Sequence, residues 1–190
     1  MGHSVTGQLM QIRRPKLSKV KLRGLAEDVR GELEQATRGA KSERMRLLFV
    51  GAGQGEKNLA AEILAEGLDK DLALVDVTAV ISKYIGETER NLTTLQQGIE
   101  ENKPLVLLDF VDALFENRSE LLDGDEDYVR QMIDHLLERL ENYPGGIILT
   151  VDQPDRLSAT ARGEFRTIVD FPAGRGGKGG WWRKVIPWPK

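Results

Sequence analysis

The stretch that most limits what this chain can become is MRLLFV followed by GAGQGEKN, residues 45–58. A short, continuous apolar run has no polar face, so as a strand it needs cover on both sides. The glycine-rich loop after it (51–58) leads into an apolar helical face at Leu59, Ala60, Ile63 and Leu64, with the helix expected to begin near Lys57. A glycine-rich turn between a buried strand and a helix aims backbone N–H groups and the positive end of the helix dipole at one point, an arrangement suited to phosphate. The pattern recurs. LALVDV (72–77), PLVLLDF (104–110), GIILTVD (146–152) and FRTIVDF (165–171) read as further strands. A helix is expected around 87–100, and a long amphipathic one over 126–142 carries Val129, Met132, Ile133, Leu136, Leu137 and Leu140. Leu25, Val29, Leu33 and Ala36 recur at helical spacing and predict another. Buried strands alternating with helices predict an α/β fold, three layers around a five-stranded parallel sheet.

Charge divides the chain at the limits of that pattern. The net charge of -3 over 190 residues conceals two basic ends and an acidic middle. Residues 1–23 carry Arg13, Arg14, Lys16, Lys19, Lys21 and Arg23 and no acid; residues 173–190 carry Arg175, Lys178, Arg183, Lys184 and Lys190 and no acid. All 30 acids therefore lie in residues 24–172. Three segments follow: a basic N-terminal arm (1–23, extended, interrupted by Pro15), an α/β domain (24–172) and a basic tail rich in glycine and tryptophan (173–190). Opposite charges arranged in blocks point to docking, of an arm on a neighbouring copy or on another protein.

Several chemistries are excluded. Without cysteine there is no disulfide framework, thiolate nucleophile or cysteine-ligated zinc. Two histidines, His3 and His135, are too few for a histidine-rich metal cluster. No apolar run approaches the roughly 18–20 residues of a membrane span, and the N-terminus has no apolar signal region, so a cytoplasmic protein is expected.

Several motifs, in order, resemble those of the AAA family of ring-forming ATPases over roughly residues 25–172. GAGQGEKN stands where that family has its P-loop. SKYIGETERNL (82–92) is similar to its central pore loop and following helix, and PLVLLDFVDALFENRSE (104–120) to its Walker B strand. GGIILTVDQPDRL (145–157) resembles the sensor-1 strand and EFRTIVDFP (164–172) the final strand. The resemblance implies a P-loop NTPase-like fold. It also implies a nucleotide site built on Gly51, Gly53, Gly55, Lys57, Asn58 and Asp109, taking ATP or ADP with Mg²⁺ if that site still binds. Lys83, Tyr84 and Ile85 would then be contact residues for a protein partner.

The departures from the family pattern fall on its chemistry. A working P-loop reads G-x-x-x-x-G-K-[ST]; here Glu56 replaces the glycine before Lys57, and Asn58 replaces the hydroxyl residue that ligates magnesium. A glutamate adds bulk and the wrong charge, repelling one phosphate charge by roughly 3 kcal/mol at about 5 Å and an effective dielectric near 20. A carboxylate is itself favourable at a helix N-terminus, so one reading puts Glu56 where phosphate would sit. The other is a conventional loop that tolerates the substitutions. Phe110 replaces the catalytic glutamate after Asp109, a general-base role worth about 10²–10⁴ in rate. Asp112 could be offered as a substitute, but the family has an aspartate there in addition to the glutamate. Asp152 replaces the sensor-1 asparagine, and an ionised carboxylate can only accept hydrogen bonds. Gly163-Glu164 stand at the paired arginine-finger positions, a contribution of about 10³–10⁵, with Arg162 and Arg166 flanking. The tail stands where the family has its helical lid.

No metal and no cofactor are therefore expected, and no catalytic residue is assigned. The leading expectation is a catalytically impaired AAA-like subunit, structural or adaptor in role, assembling into a ring or larger protein complex through its terminal arms. Trp181, Trp182 and Trp188 are anchor-type side chains, and the five glycines at 174–180 give them reach. One alternative is a nucleotide-binding, slowly hydrolysing ATPase acting in protein remodelling or assembly. The other is RNA binding by the tail, whose glycine, basic and aromatic residues suit single strands. No membrane partner is expected.

Overall fold

The computed structural model describes residues 5–16, 31, 33, 44–116 and 126–171. In chain order the elements are α1 (Val5–Leu9), β1 (Met10–Arg13), β2 (Arg46–Val50), α2 (Gln54–Gly67), β3 (Leu72–Asp76), α3 (Val77–Val80) and α4 (Ile85–Glu100). Then come β4 (Leu105–Asp109), α5 (Val111–Glu116), α6 (Glu126–Arg139), β5 (Ile147–Val151), a 3₁₀ turn (Pro154–Arg156), α7 (Ala159–Gly163) and β6 (Thr167–Asp170). The strands lie in the order β1-β3-β4-β5-β2-β6. From β3 to β6 every pairing is parallel, with Asp76 opposite Asp109 and Val50 between Val151 and Asp170. All five expected strands are present.

Successive side chains of these strands point to opposite faces, and both faces are covered. Leu47, Phe49, Leu105, Leu107, Ile148 and Val169 face α2 and Leu33. Leu48, Val106, Leu108, Leu149 and Val151 face the cluster built from α1 and α3 to α7. This two-sided burial is why the strands read as unbroken apolar runs rather than alternating ones. Asp76 ends β3 and starts α3, accepting from the Thr78 N–H at 2.9 Å.

The sheet has six strands, not five. The sixth comes from the expected arm: β1 pairs antiparallel with β3, Met10 opposite Val75 and Arg13 opposite Leu72. Only Met10 of this strand is buried, so its pairing is fixed by charge as well as by burial. Arg13 reaches Glu62 of α2 at 2.6 Å, and Arg14 pairs with Asp69 and, at 3.3 Å, Asp71. These arginines are therefore neutralised within the chain by its own acidic body. The helix expected over 25–36 lies outside the described residues except for Gly31 and Leu33, both helical, with Leu33 buried. The tail with Trp181, Trp182 and Trp188 lies outside them entirely.

Candidate functional site

At the carboxyl ends of parallel strands, loops converge on the place where α/β sheets bind ligands. Here the loop from β2 is three residues, Gly51 to Gly53. Gly51 has φ +108, and a Cβ on it would stand 2.1 Å from the Phe171 carbonyl oxygen, so no other residue fits without moving backbone. Its N–H donates to the Val151 carbonyl at 3.1 Å, tying the loop to β5.

The helix starts at Gln54, three residues before the expected position near Lys57. Gly53 is the N-cap, and its carbonyl accepts from the Glu56 N–H at 3.0 Å and the Lys57 N–H at 2.9 Å. Two N–H groups of the expected loop are thus spent on the helix's own first turn. Glu56 lies in that turn, where a carboxylate complements the dipole. Its side chain folds back over the loop, with Oε2 3.3 Å from where a Gly53 Cβ would be. Winding and acid support each other.

Lys57 follows on the buried side of α2 and is 1% exposed. Its ammonium meets Asp152, at the end of β5, with Nζ 2.7 Å from Oδ1; the Asp152 side chain is 48% exposed. The Asp152 N–H in turn donates to Asp112 Oδ2 at 2.7 Å. Burial raises the Asp112 carboxyl above its usual value and the Asp152 charge adds to the rise, while the hydrogen bond from the Asp152 N–H and the Lys57 and Arg156 cations oppose it. Among the described residues, Asp112 Oδ1 accepts no hydrogen bond; Arg156 stands 3.6 Å away.

Asp109, at the end of β4, is wholly buried. Its Oδ1 accepts from Thr150 Oγ1 at 2.6 Å and from the Phe110 N–H at 2.9 Å. Gln54 Nε2 spans both carboxylate oxygens at 2.6 Å each and lies 3.4 Å from Asn58 Oδ1. Phe110 is 45% exposed with φ +65, a left-handed backbone rare for a bulky residue.

The structure therefore links Asn58 and Asp109 through Gln54 and pairs Lys57 with Asp152, next to the loop of Gly51 and Gly53 and with Gly55 in the first turn of α2. Gln54 and Thr150 were missed. Thr150 had a signal, as the hydroxyl in an otherwise apolar strand. Gln54 had none, since a polar residue entering a helix is unremarkable. The other sequence candidates lie elsewhere. Lys83 sits over the Tyr84 ring at 5.2 Å, and Tyr84 and Ile85 are more than half exposed. Their loop is braced by Ser82, whose Oγ donates to Glu87 at 2.6 Å and whose N–H donates to Thr88 Oγ1 at 2.9 Å. Gly163 ends α7 and Glu164 caps it, Arg162 pairs with Asp155 at 3.0 Å, and Arg166 is exposed. Among the described residues, none of these four is joined to Lys57, Asp109 or Asp152 by a hydrogen bond or ion pair.

Residues 46–173 match the family model described as "ATPase family associated with various cellular activities (AAA)". An AAA family ATPase of Sinorhizobium fredii, y4kL, is 30% identical over 152 residues, covering 79% of this chain and 45% of that protein. The 26S proteasome regulatory subunit 10B homolog A of Arabidopsis thaliana is 30% identical over 125 residues, covering 63% of this chain and 31% of its own. Vacuolar protein sorting-associated protein 4B of Mus musculus is 33% identical over 75 residues, 39% of this chain and 17% of that one. The chain spans less than half the length of these relatives. Among solved structures, the FIGL-1 AAA domain in complex with ADP superimposes with a TM-score of 0.61 at 15% identity, over 88% of this chain and 59% of that one. Among the described residues, no helix is long and apolar enough to cross a membrane.

Proposed function

The chain belongs to the AAA family of ATPases, and from that premise we propose that it is a catalytically impaired member, a structural or adaptor subunit within a protein assembly. The observation that carries this reading is the Lys57–Asp152 ion pair at 2.7 Å. A lysine that serves phosphate must present its charge to the ligand; this one is buried and already neutralised. The neighbouring groups agree with it. Asp109 is saturated by Gln54, Thr150 and Phe110 N–H, and the Gly53 carbonyl holds two N–H groups of the loop. Glu56 adds a negative charge over the same turn. As arranged, these residues do not fit a magnesium nucleotide. Phe110 offers no proton acceptor where hydrolysis needs a base.

The assembly part of the reading draws on the relatives. Proteins similar to this chain carry names that make them regulatory subunits of the 26S proteasome, so protein partners are the expected ones here. The exposed Lys83-Tyr84-Ile85 loop and the tail with Trp181, Trp182 and Trp188 are the contact candidates. A slowly hydrolysing ATPase, the second reading, keeps Lys57 and Asp109 in service, and it requires the Lys57–Asp152 pair to open.

Titration calorimetry of the full chain with ATP and Mg²⁺ separates the two. No heat of binding is expected, and Lys57→Ala is expected to leave the sedimentation profile unchanged. Micromolar ATP binding that Lys57→Ala abolishes refutes the impaired reading. Deleting residues 173–190 is expected to shift sedimentation to a smaller species, and an unaltered profile removes the tail from the assembly role.

A further inference from the structure

We infer that the Gln54 side-chain amide is an internal substitute for a divalent cation, and that the place it fills between Asn58 and Asp109 takes a cation only when that amide is removed. The inference rests on the impaired reading above and names the residue responsible for part of it. In P-loop nucleotide sites the cation is held between the residue after the P-loop lysine and the aspartate of the Walker B strand. Those positions are Asn58 and Asp109. Gln54 Nε2 lies between them, 2.6 Å from each Asp109 carboxylate oxygen and 3.4 Å from Asn58 Oδ1.

The chemistry of that nitrogen explains why it fits. A side-chain amide nitrogen carries two N–H donors and no acceptor. It presents positive partial charge toward three oxygens, which is what a small hard cation would do. A buried carboxylate requires such compensation, and Asp109 is fully buried. Thr150 and the Phe110 N–H supply two further donors, both to Oδ1. Oδ2 is served by Gln54 alone among the described residues. Removing the amide therefore strips Oδ2 and leaves an oxygen-lined space facing Asn58.

The winding of α2 belongs to the same device. Gln54 reaches Asp109 because it is the first residue of the helix, directly after the Gly53 cap. In a loop that stayed unwound to Lys57, residue 54 would not be held in this place. The side chain and the extra turn stabilise each other, and the cation position is filled as a consequence of how the helix begins.

Manganese, followed by its electron paramagnetic resonance signal and by melting temperature, is the probe, used on the full chain without nucleotide. Gln54→Glu keeps the shape and replaces the donor with a second carboxylate facing Asp109; Gln54→Ala simply removes the donor. Wild type is expected not to bind Mn²⁺. Gln54→Glu is expected to bind with a Kd on the order of 10⁻⁴ M and to melt higher when Mn²⁺ is added. Gln54→Ala is expected to bind more weakly, and adding Asp109→Asn to either variant should abolish binding. Equal binding by wild type and both variants overturns the inference, as does binding by none of them or binding that survives Asp109→Asn. If Gln54→Glu does not fold, Gln54→Ala with and without Asp109→Asn decides alone. The impaired reading fails separately, through ATP binding by the wild type.

Discussion

Replacing Asp152 by alanine isolates what the Lys57 ion pair contributes. The ammonium stands 2.7 Å from Asp152 Oδ1, with its own side chain 1% exposed and its partner 48% exposed. At that separation and an effective dielectric near 20, the gross attraction is about 6 kcal/mol. Removing one member of a buried pair costs about 3–5 kcal/mol because the survivor is left uncompensated. Asp152 is half open to solvent, however, and water entering its place hydrates part of the stranded ammonium. The expected loss is therefore about 2 kcal/mol, or a fall of about 4–8 °C in melting temperature for a chain of this size.

The opposite substitution gives the control. Lys57→Met keeps most of the buried stem and removes the charge, leaving Asp152 free to hydrate. It is expected to change stability by less than about 1 kcal/mol, and the double variant should recover most of what Asp152→Ala loses. Urea denaturation of the four proteins measures the cycle. If Lys57→Met costs as much as Asp152→Ala, or the double variant shows no recovery, the lysine is not neutralised inside the chain. The account of a self-satisfied site then fails.

Two further perturbations test neighbouring parts of the structure. Gly51→Ala forces a Cβ against the Phe171 carbonyl oxygen at a residue with φ +108; the expected cost is about 3 kcal/mol or more, and a melting temperature within a degree of wild type would refute the geometry of the loop. Asp112 is raised above its usual value chiefly by burial, so the folded state holds its proton to higher pH than the unfolded state. Stability from this group is greatest below the unfolded value and falls as pH rises to the folded value. Asp112→Asn, which can still accept from the Asp152 N–H, should remove that decline; unfolding free energies measured across mildly acidic pH that keep the same slope would contradict it.

The sequence was most readable where burial alone decides structure. β2 through β5 are covered on both faces, and the edge strand β6 still carries the apolar pair Ile168 and Val169, so hydrophobicity marked each of them. β1 escaped because three of its four residues are exposed and its position depends on Arg13 meeting Glu62, 49 residues away. Lys57, Asp109 and Asp152 were visible as positions in a family pattern, but their partners were not. Nothing local pairs residue 57 with 152 or residue 54 with 109. The helix start moved for the same reason, being set by the Gly53 carbonyl and by where the Gln54 side chain ends.

Those partnerships make the departures from the family pattern dependent on one another. An asparagine at position 152 would offer Lys57 a neutral oxygen, whereas Asp152 supplies the full countercharge that a buried ammonium needs without an anion beside it. Gln54 likewise supplies the donor that buried Asp109 needs without a cation. Glu56, in the first turn, favours a helix that begins at Gln54, and from that position the Gln54 side chain meets Asp109. A set of unrelated lesions would leave a stranded lysine and a stranded aspartate in the interior, each at a cost of several kcal/mol. Here Lys57 is matched by Asp152, and Asp109 by Gln54, Thr150 and the Phe110 N–H, all from within the fold. On the impaired reading proposed above, the site is an internal polar joint between α2, β4 and the end of β5 rather than an eroded one.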